Sequence, residues 1–383
     1  MTWRAQILAT MSSAARRCLS VRASRSLSVL SSRATGGGPL RPFLDAHGVA
    51  ILDGGFGTAL GDEAQKDPMW GSQLLFSRAG HERVQSVHRG FLEAGADIIS
   101  TSSYQVSFEC FSAAGAFERL PGGGILQEKH QLRYTRDVLR TSVELAKMVR
   151  HQHMSGQGSQ AHAVTSPRPL VAASVGPAGD NIVMWTGATD AQTNAHGVPD
   201  ADVSLYYSRK ISDLAIAKPD LVLLETLPGI REARLALAAH QEAAPQLPAI
   251  VSFICRSEST TAAGDDFAEC VAEVVERHPT LVAAVGVNCT SPGHVEGLLG
   301  RARARCPDTL LVAYPNSGEG WDAREGERCW HDSDEAHKLS GADALAMREW
   351  GADVIGGCCR VTAEQIREFR RSLLEDRGAE APL

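Results

Sequence analysis

The segment that decides the fold covers residues 220–287 and has the sequence DLVLLETLPGIREARLALAAHQEAAPQLPAIVSFICRSESTTAAGDDFAECVAEVVERHPTLVAAVGV. Short apolar runs alternate in it with longer amphipathic stretches of helical period. The strand patterns lie at 220–225, 249–253 and 281–287, and the helical patterns lie at 230–243 and 265–277. This alternation is typical of a parallel sheet with crossover helices, so the segment predicts an α/β fold.

The same alternation continues in both directions from this segment. Further strand patterns lie at 49–53, 97–101, 169–174, 309–314 and 353–357, and further helical patterns at 81–94, 132–150 and 336–350. Eight strand and helix units in one run favour a single closed (β/α)8 TIM-type barrel over an open doubly wound sheet. We expect this barrel to cover residues 45–376 and a C-terminal tail to cover 377–383.

Two stretches interrupt the alternation, and both are predicted to be loops. PGGG at 121–124 is a flexible turn, and 151–168 is rich in Gly, Ser, Gln, His and Pro. His151 and His153 in the second stretch could bind a metal. No Cys or carboxylate lies beside them, which favours an ordinary polar loop.

Composition excludes several classes of protein. Apolar residues make up 43% of the 383 residues, which is enough for a sizeable core and excludes a disordered or fibrous chain. No stretch approaches the roughly 18 uncharged apolar residues that cross a bilayer. Nine cysteines are too few for a disulfide scaffold, and an odd number cannot pair completely within one chain. A reducing compartment fits best.

Charge is distributed unevenly along the chain, whose formal net charge is -7. Residues 1–44 contain seven arginines, no lysine and no acidic residue, so the remainder has 31 basic against 45 acidic residues, a charge of -14. A net charge this negative disfavours binding to nucleic acid or to an anionic membrane. The Arg- and Ser-rich segment 1–44 is typical of an organelle transit peptide, and we expect a mitochondrial address. A plastid address and a disordered cytoplasmic tail are the alternatives.

Polar and thiol residues collect directly after the predicted strands. The loops that follow the strands of a (β/α)8 barrel meet at one mouth, where catalytic groups lie. Asp53 and Glu225 end the first and fourth predicted strands. NCTSP at 288–292, PNSGE at 315–319 and CCR at 358–360 follow the sixth, seventh and eighth. The sequence therefore predicts a functional site at this mouth.

Cys289, Cys358 and Cys359 are the most specific of these features. Neighbouring cysteines rarely bridge each other because the disulfide strains the peptide between them, but two successive thiolates can turn toward one tetrahedral metal ion. A third thiolate from Cys289 would leave the fourth position open, as in a catalytic zinc site. The alternative is that all three are buried core thiols, because cysteine is among the most buried residue types.

The glycine-rich segment GGFGTAL at 54–60 superficially suggests a dinucleotide-binding loop. It lacks the third glycine of G-x-G-x-x-G, and no Rossmann half surrounds it. Its glycines instead favour close approach of the backbone to a ligand, with successive N–H groups forming a nest for a small carboxylate.

Five motifs together resemble the homocysteine S-methyltransferase family. They are DGGFGT (53–58), GADIISTSSYQ (95–105), GVNCTSP (286–292), YPNSGE (314–319) and GGCCR (356–360). The resemblance runs from about Ile51 to Ser372. DPMW at 67–70 and the Tyr104 segment are most similar to the short members that use S-methylmethionine. The departures from the family pattern lie near Gly123, at 151–168 and at 180–194.

The resemblance implies a methyltransferase that binds Zn²⁺ through Cys289, Cys358 and Cys359. It would move a methyl group from S-methylmethionine, or less efficiently from S-adenosylmethionine, to homocysteine and so produce methionine. A free thiol of pKa about 8.5 is mostly protonated at neutral pH, so a metal that displaces the proton makes it a useful nucleophile. The donor leaves as a neutral thioether, so no general acid is required.

The resemblance also implies the contacts to the amino acid substrate. Asp53 and Glu225 would bind its ammonium, and the backbone N–H groups of Gly55, Phe56 and Gly57 would bind its carboxylate. Asp53 is alternatively a turn-former before the glycines, and Glu225 alternatively pairs with a Lys or Arg of the barrel.

Tyr104 and Asn288 complete the predicted site. Tyr104 is a candidate for an aromatic face that attracts the donor sulfonium, as are Trp70 and Tyr314, although each alone is more often a packing residue. Asn288 would orient Cys289 or the substrate, or serve only as a turn residue.

Other functions remain in competition with this one. Selenocysteine could replace homocysteine as acceptor, and betaine could replace the sulfonium as donor. A methylated cobalamin donor is disfavoured, because the long family members that use it carry further domains. A non-catalytic zinc-binding barrel is the alternative outside the enzymes, and the presence of all three cysteines and both carboxylates argues against it.

Overall fold

Eight parallel strands in the described part of the chain form a barrel. The structure, a computed structural model, describes residues 38–61, 69–119, 127–156, 167–179, 198–322, 329–331 and 338–378. The described residues contain ten strands in all, which in chain order are β1 (Ala50–Ile51), β2 (Ile98–Ser100), β3 (Leu170–Val175), β4 (Leu221–Leu227), β5 (Ala249–Phe253), β6 (Val282–Asn288), β7 (Leu311–Tyr314), β8 (Gly320–Asp322), β9 (Cys329–His331) and β10 (Val354–Ile355). All but β8 and β9 form one parallel sheet in the order β1-β10-β7-β6-β5-β4-β3-β2.

The two edges of this sheet meet at Leu52 and Ile98, which form an isolated parallel bridge. Asp53 N donates to Ile98 O at 3.0 Å, and Asp97 N donates to Ile51 O at 2.7 Å. These bonds nearly close the barrel. The predicted (β/α)8 TIM-type barrel is confirmed.

Helices alternate with the strands around the outside of the barrel. They are α1 (Arg41–His47), α2 (Phe56–Ala59), α3 (Arg78–Ala94), α4 (Phe108–Ala113), α5 (Glu128–Met154), α6 (Asp200–Ile216), α7 (Ile230–Ala243), α8 (Phe267–Arg277), α9 (Val295–Arg305), α10 (Gly341–Glu349) and α11 (Ala363–Gly378). Short 3₁₀ turns cover Gly38–Leu40, Ser72–Phe76, Phe117–Arg119 and Pro292–His294. Among the described residues, none of the helices is long and apolar enough to cross a membrane.

Helix α5 continues past the predicted helix end at residue 150. His151 and His153 therefore lie in its last turn, and the expectation that they belong to a loop is wrong. His153 is buried because it continues the stripe of Leu145 and Val149 at a spacing of four residues. Residues 157–166 of that expected loop, and the expected turn at 121–124, lie outside the described residues.

The strands are apolar on both faces because both faces are buried. One set of strand residues fills the barrel interior, including Leu52, Leu223 and Val312, and the alternating set packs against the helices, including Ile51, Leu224 and Ala313. Continuous apolar runs of this kind are typical of parallel strands covered by helices.

The polypeptide segment before β1 packs against the barrel interior. Leu40 is 0% exposed and Phe43 is 1% exposed, and both belong to the cluster of residues that fills the barrel. The boundary expected between residues 44 and 45 thus falls inside α1, and the buried residues begin at Leu40 in the 3₁₀ turn before it. At the other end, α11 reaches Gly378, two residues beyond the expected end at 376.

Three aspartates directly before strands fix neighbouring strands at the base of the barrel. Asp97, Asp220 and Asp353 each accept a hydrogen bond from the backbone N–H of an adjacent strand, and each pairs with an arginine. Asp353 Oδ2, for example, lies 2.9 Å from Leu311 N and 2.9 Å from Arg303 Nη2. A charged acceptor that binds a backbone donor makes a stronger hydrogen bond than a neutral one. These contacts stabilise the strand register at the end of the barrel opposite the predicted site.

A second, antiparallel sheet of β8 and β9 follows β7 and was not predicted. Helix α10 begins at Gly341, later than the predicted start at 336. Ser340 and Asp343 form a capping box there: Asp343 Oδ2 accepts from Ser340 N at 2.7 Å. This cap satisfies backbone donors at the first turn and fixes where the helix begins.

Candidate metal centre and active site

The predicted site residues lie together at the carboxyl ends of the barrel strands. Asp53 follows β1 and its hydrogen bond to Ile98 O continues the barrel ladder. Cys289 follows β6 directly, and Cys358 follows β10. Glu225 lies within β4, which continues to Leu227 rather than ending at Glu225 as predicted. Parallel strands that share one sheet end at the same rim, which brings these distant residues together.

The three predicted cysteines form one cluster. Cys289 Sγ lies 3.8 Å from Cys359 Sγ, and Cys359 Sγ lies 4.0 Å from Cys358 Sγ. All three sulfur atoms lie within 4.8 Å of one another, far beyond the S–S bond length of about 2.05 Å. Among the described residues this is the only group of three or more potential ligands so arranged.

The spacing of the sulfur atoms suits a tetrahedral zinc ion. Zn–S bonds of about 2.3 Å place two ligand sulfurs of a tetrahedral site about 3.8 Å apart. The separations of 3.8 and 4.0 Å are close to that value. The cluster is therefore able to hold a metal ion, and the set of three soft thiolates matches the ligands that zinc prefers.

The thiols are electrostatically coupled. Hydrogen bonds from Cys289 and then from Cys359 hold the pKa of Cys358 well below its usual range. The hydrogen bond to Cys358 in turn raises the pKa of Cys289. The cluster thus favours a thiolate at Cys358 first.

The backbone is strained at the residues that flank the cluster. Cys289 has φ 48°, Arg360 has φ 67° and Thr226 has φ 62°, all in the left-handed region that residues with a Cβ rarely adopt. Conformations of this kind cost about 1–3 kcal/mol each and concentrate at functional sites. Three such residues in or beside the thiol cluster mark this part of the barrel as a candidate functional site.

The loop after β1 packs directly on the loop that carries Cys358. A Cβ at Gly55 would lie 2.6 Å from Cys358 O and 2.9 Å from Arg360 N, so only glycine fits. Gly55 N already donates to Val361 O at 2.9 Å. Gly55 therefore contributes its small size, and its own N–H is occupied by a protein acceptor.

Asn288 joins β4, β5 and the cysteine cluster. Its Oδ1 accepts from Thr226 N at 2.8 Å and from Ser252 Oγ at 2.9 Å. Its Nδ2 donates to Thr226 Oγ1 at 2.8 Å and points at Cys358 Sγ at 3.9 Å. The residue is 0% exposed, and its polar atoms are all directed at protein groups.

The Asp53 side chain accepts hydrogen bonds from Ser100 on the neighbouring strand. Asp53 Oδ2 lies 2.7 Å from Ser100 N and 2.9 Å from Ser100 Oγ. Burial raises the pKa of Asp53 to about 7 against the effect of these bonds. The side chain is 2% exposed, which leaves a desolvated carboxylate at the rim of the barrel.

Glu225 lies in a similar environment. It accepts from Ser174 Oγ and from Tyr314, and burial raises its pKa to about 8. Within the described part of the chain, neither Asp53 nor Glu225 forms an ion pair. The expected alternative for Glu225, a pairing with a barrel Lys or Arg, therefore finds no partner there. A positively charged ligand between these two buried groups would stabilise their charged forms.

Of the aromatic candidates, Tyr104 follows β2, Tyr314 ends β7, and Trp70 is half-buried shortly before the 3₁₀ turn Ser72–Phe76. Phe56, which was predicted to bind through its backbone N–H, is half-buried, and its ring centroid is 4.7 Å from that of His88. Tyr104, also half-buried, follows β2, and its ring lies over Gly176. Tyr314 is buried and hydrogen-bonds Ser252 at 2.5 Å, so it supports the interior more than it offers a face.

Sequence reasoning missed the hydroxyl residues that hold the predicted ones. Ser100, Ser174, Ser252 and Thr226 supply hydrogen bonds to Asp53, Glu225 and Asn288. Their only signal in the sequence is a hydroxyl inside or directly after an otherwise apolar strand. Glu319 ends the YPNSGE motif, and no role was predicted for it. It forms a two-armed ion pair with Arg360, at 3.1 and 3.2 Å.

The sequence of this barrel is similar to those of known proteins. The sequence profile of the homocysteine S-methyltransferase family matches residues 50–373. Homocysteine S-methyltransferase 1 of Zea mays is 34% identical over 334 residues, which cover 86% of this chain and 95% of the relative. Selenocysteine Se-methyltransferase of Brassica oleracea var. italica is 30% identical, with coverage of 87% and 91%.

A solved structure agrees with these sequence matches. The metallated form of the homocysteine methyltransferase MmuM from Escherichia coli superposes with a TM-score of 0.68 at 27% sequence identity. The alignment covers 88% of this chain and 99% of that chain. Fold, profile and relatives agree over nearly the whole barrel, and the chain belongs to the homocysteine S-methyltransferase family of methyltransferases.

Proposed function

We propose that this chain is a zinc-dependent enzyme that transfers a methyl group from S-methylmethionine to homocysteine and produces methionine. The observation that carries the proposal is the meeting of three thiols with two buried carboxylates at one barrel mouth. The thiols suit a metal that binds a sulfur nucleophile, and the carboxylates suit the ammonium of an amino acid. S-adenosylmethionine is the second, less efficient donor.

Cys289, Cys358 and Cys359 would hold the metal. When bound there, zinc would keep the homocysteine sulfur deprotonated at neutral pH. Three thiolates leave the centre with a net charge near -1, so that sulfur stays electron-rich. Asn288 holds Cys358 through its amide N–H, which orients the thiolate.

Asp53 and Glu225 would bind the homocysteine ammonium. Burial destabilises both charged carboxylates, and a cation between them would offset that cost. The N–H groups of Phe56 and Gly57 would receive the carboxylate of the same substrate. Charges at both ends of the zwitterion would orient its side-chain sulfur toward the cysteine cluster.

Tyr104 would face the donor. A sulfonium is a cation and is attracted to the face of an aromatic ring. It leaves as a neutral thioether, so the site requires no group that donates a proton.

A second acceptor is favoured by one observation. The relative from Brassica oleracea var. italica at 30% identity is a selenocysteine Se-methyltransferase. Selenocysteine carries the same ammonium and carboxylate as homocysteine on a shorter side chain, so the same contacts could hold it. Betaine as donor, and a barrel that binds zinc without catalysis, are the remaining alternatives.

The test is a methyl-transfer assay on the purified, zinc-loaded protein. Homocysteine is offered with S-methylmethionine, S-adenosylmethionine or betaine, and selenocysteine is offered with the best donor. We expect the highest kcat/KM for S-methylmethionine with homocysteine, and loss of activity on removal of zinc with restoration on its return. Absence of methionine with every donor would support the non-catalytic alternative.

We further propose that the Arg-rich N-terminal segment is an organelle address, mitochondrial in the first instance. Since α1 packs against the barrel interior, the address would end before Gly38 rather than at residue 44. A reporter fused behind residues 1–37 should enter mitochondria, and entry into plastids or retention in the cytoplasm would identify the alternatives. Deletion of residues 1–37 should leave thermal stability unchanged.

A further inference from the structure

Lys210 is a lysine buried behind the wall of the barrel mouth. It lies on α6 and is 2% exposed. Its Nζ donates to the backbone oxygen of Tyr104 at 2.7 Å and to the hydroxyl of Tyr206 at 2.9 Å. Nζ also lies 5.2 Å from the centroid of the Tyr206 ring. Burial of an ammonium group costs free energy unless several contacts offset that cost. Here the two hydrogen bonds and the Tyr206 ring offset it, and one of the hydrogen bonds holds the Tyr104 carbonyl in place.

Tyr206 extends these contacts to the next strand. Its hydroxyl donates to the backbone oxygen of Gly176 at 2.9 Å, directly after β3 ends at Val175. Lys210 and Tyr206 therefore connect the loop after β2, which carries Tyr104, to the loop after β3, which carries Gly176. We call these two side chains and the two carbonyls that they bind the Lys210 clamp.

The clamp brings the ring of Tyr104 against Gly176. A Cβ at Gly176 would lie 2.7 Å from Tyr104 Cζ and 2.8 Å from Tyr104 Cε2, which is closer than real Cβ contacts. The backbone next to Tyr104 is fixed as well, because Ser103 Oγ donates to Ser174 O at 2.7 Å. The ring of Tyr104 is thus held by its backbone and by the absence of a side chain beneath it.

We infer that Lys210 is a positioning residue that fixes the ring of Tyr104 for the sulfonium donor. This inference rests on the proposed function, in which Tyr104 faces the donor. The attraction between a cation and an aromatic ring depends on the distance and angle of the ring face. A ring that is held in place before binding loses less conformational entropy on binding, which strengthens the affinity. Lys210 thus acts on donor affinity without contact to the donor.

Lys210→Met is the first test. Methionine keeps most of the volume and removes the donor of both hydrogen bonds. We expect the KM for S-methylmethionine to rise about tenfold, because the Tyr104 ring is then no longer held in place before the donor binds. The KM for homocysteine and the zinc content should stay unchanged, because neither depends on Tyr104. Calorimetric titration of the zinc-loaded protein with S-methylmethionine should show the same loss of affinity without turnover.

Gly176→Ala tests the same inference from the other side. The added methyl displaces the Tyr104 ring while it leaves Lys210 and its hydrogen bonds in place. Tyr207→Phe is the matched control, since it removes a buried hydroxyl of the same helix that donates to Glu232 at 2.8 Å. Gly176→Ala should raise the donor KM selectively, and Tyr207→Phe should not.

The wild-type protein separates this inference from the proposed function. If it transfers methyl groups from neither sulfonium donor, the proposed function and the inference both fail. If it is active, an unchanged donor KM in folded, zinc-loaded Lys210→Met, or an equal rise in the KM of both substrates, overturns the inference alone. Should Lys210→Met not fold, the donor KM of Gly176→Ala decides in the same way.

Discussion

The Sγ atoms of Cys289 and Cys359 lie 3.8 Å apart, although 70 positions separate them in the chain. One residue follows β6 and the other lies in the loop after β10, with β7 between these strands in the sheet. The left-handed backbone at Cys289 turns its side chain toward that loop. This contact brings residues that no local motif joins into one cluster that could hold a metal ion.

Removal of any one cluster cysteine should abolish activity and sharply weaken metal retention. Cys289→Ala, Cys358→Ala and Cys359→Ala each leave two thiolates, which hold zinc less firmly than three. Zinc per chain, measured by elemental analysis, should fall from one to near zero. Cys306→Ser, outside the cluster, is the control and should keep its zinc. A Cys358→Ala protein with full zinc and normal turnover would refute the assignment.

Asn288→Asp should weaken metal binding while the cluster itself stays intact. The change keeps the shape of the side chain but removes the N–H that points at Cys358 Sγ, and it brings a negative charge close to a thiolate. Loss of a partner of a metal ligand costs about 10–100-fold in affinity. Competition with a chromophoric chelator measures this directly. Equal affinity in variant and wild type would show that the 3.9 Å contact has no effect.

Glu225→Gln should raise the KM for homocysteine about tenfold or more while zinc stays bound. The substitution keeps the shape and hydrogen-bond capacity but removes the charge that pairs with the substrate ammonium. Steady-state kinetics with varied homocysteine, together with zinc analysis, provides the readout. Asp353→Asn, which changes a buried carboxylate at the opposite end of the barrel, should leave this KM unaltered. An unaltered KM in Glu225→Gln itself would assign the carboxylate to structure.

His88 should make the protein less stable in acid. Burial lowers the pKa of His88 to about 3, and among the described residues neither ring nitrogen has a hydrogen-bond partner. Below pH 6.5 the unfolded chain binds a proton that the folded state does not bind. The free energy of unfolding therefore falls as the pH drops from 6.5 toward 3, by up to about 1.4 kcal/mol per pH unit.

His88→Leu removes this pH-dependent contribution to the free energy of unfolding. Between pH 8 and pH 5 its free energy of unfolding should fall by about 2 kcal/mol less than that of the wild type. Urea unfolding at the two pH values supplies the comparison. His151→Gln, at an exposed position, should behave as the wild type does. Parallel losses in His88→Leu and wild type would mean that His88 is protonated in the folded protein.

Asp353→Asn should lower stability without a change in catalysis. The carboxylate accepts from Leu311 N and pairs with Arg303 at the base of the barrel, far along the strands from the cysteine cluster. Loss of the charge leaves Arg303 with a weaker partner, and we expect a cost of about 1–3 kcal/mol. Thermal unfolding together with kcat/KM tests both parts. A fall in kcat/KM at full zinc occupancy would contradict a purely structural role.

The sequence alone determined the barrel and the principal site residues. Strand and helix periods repeat along the chain, and a run of eight such units has one common closed arrangement. That arrangement places the ends of all the parallel strands at one rim. The order of the motifs therefore sufficed to predict that Asp53, Glu225, Cys289 and Cys358 meet.

Only the tertiary structure decided how these residues are held. The hydrogen bonds of Asn288 reach residues on two other strands, and those of Lys210 reach a loop more than 100 positions away. Such contacts depend on the direction of each side chain across neighbouring strands, which no local pattern encodes. The helical position of His151 and the burial of Phe43 were missed for the same reason, because packing against distant residues outweighs local composition.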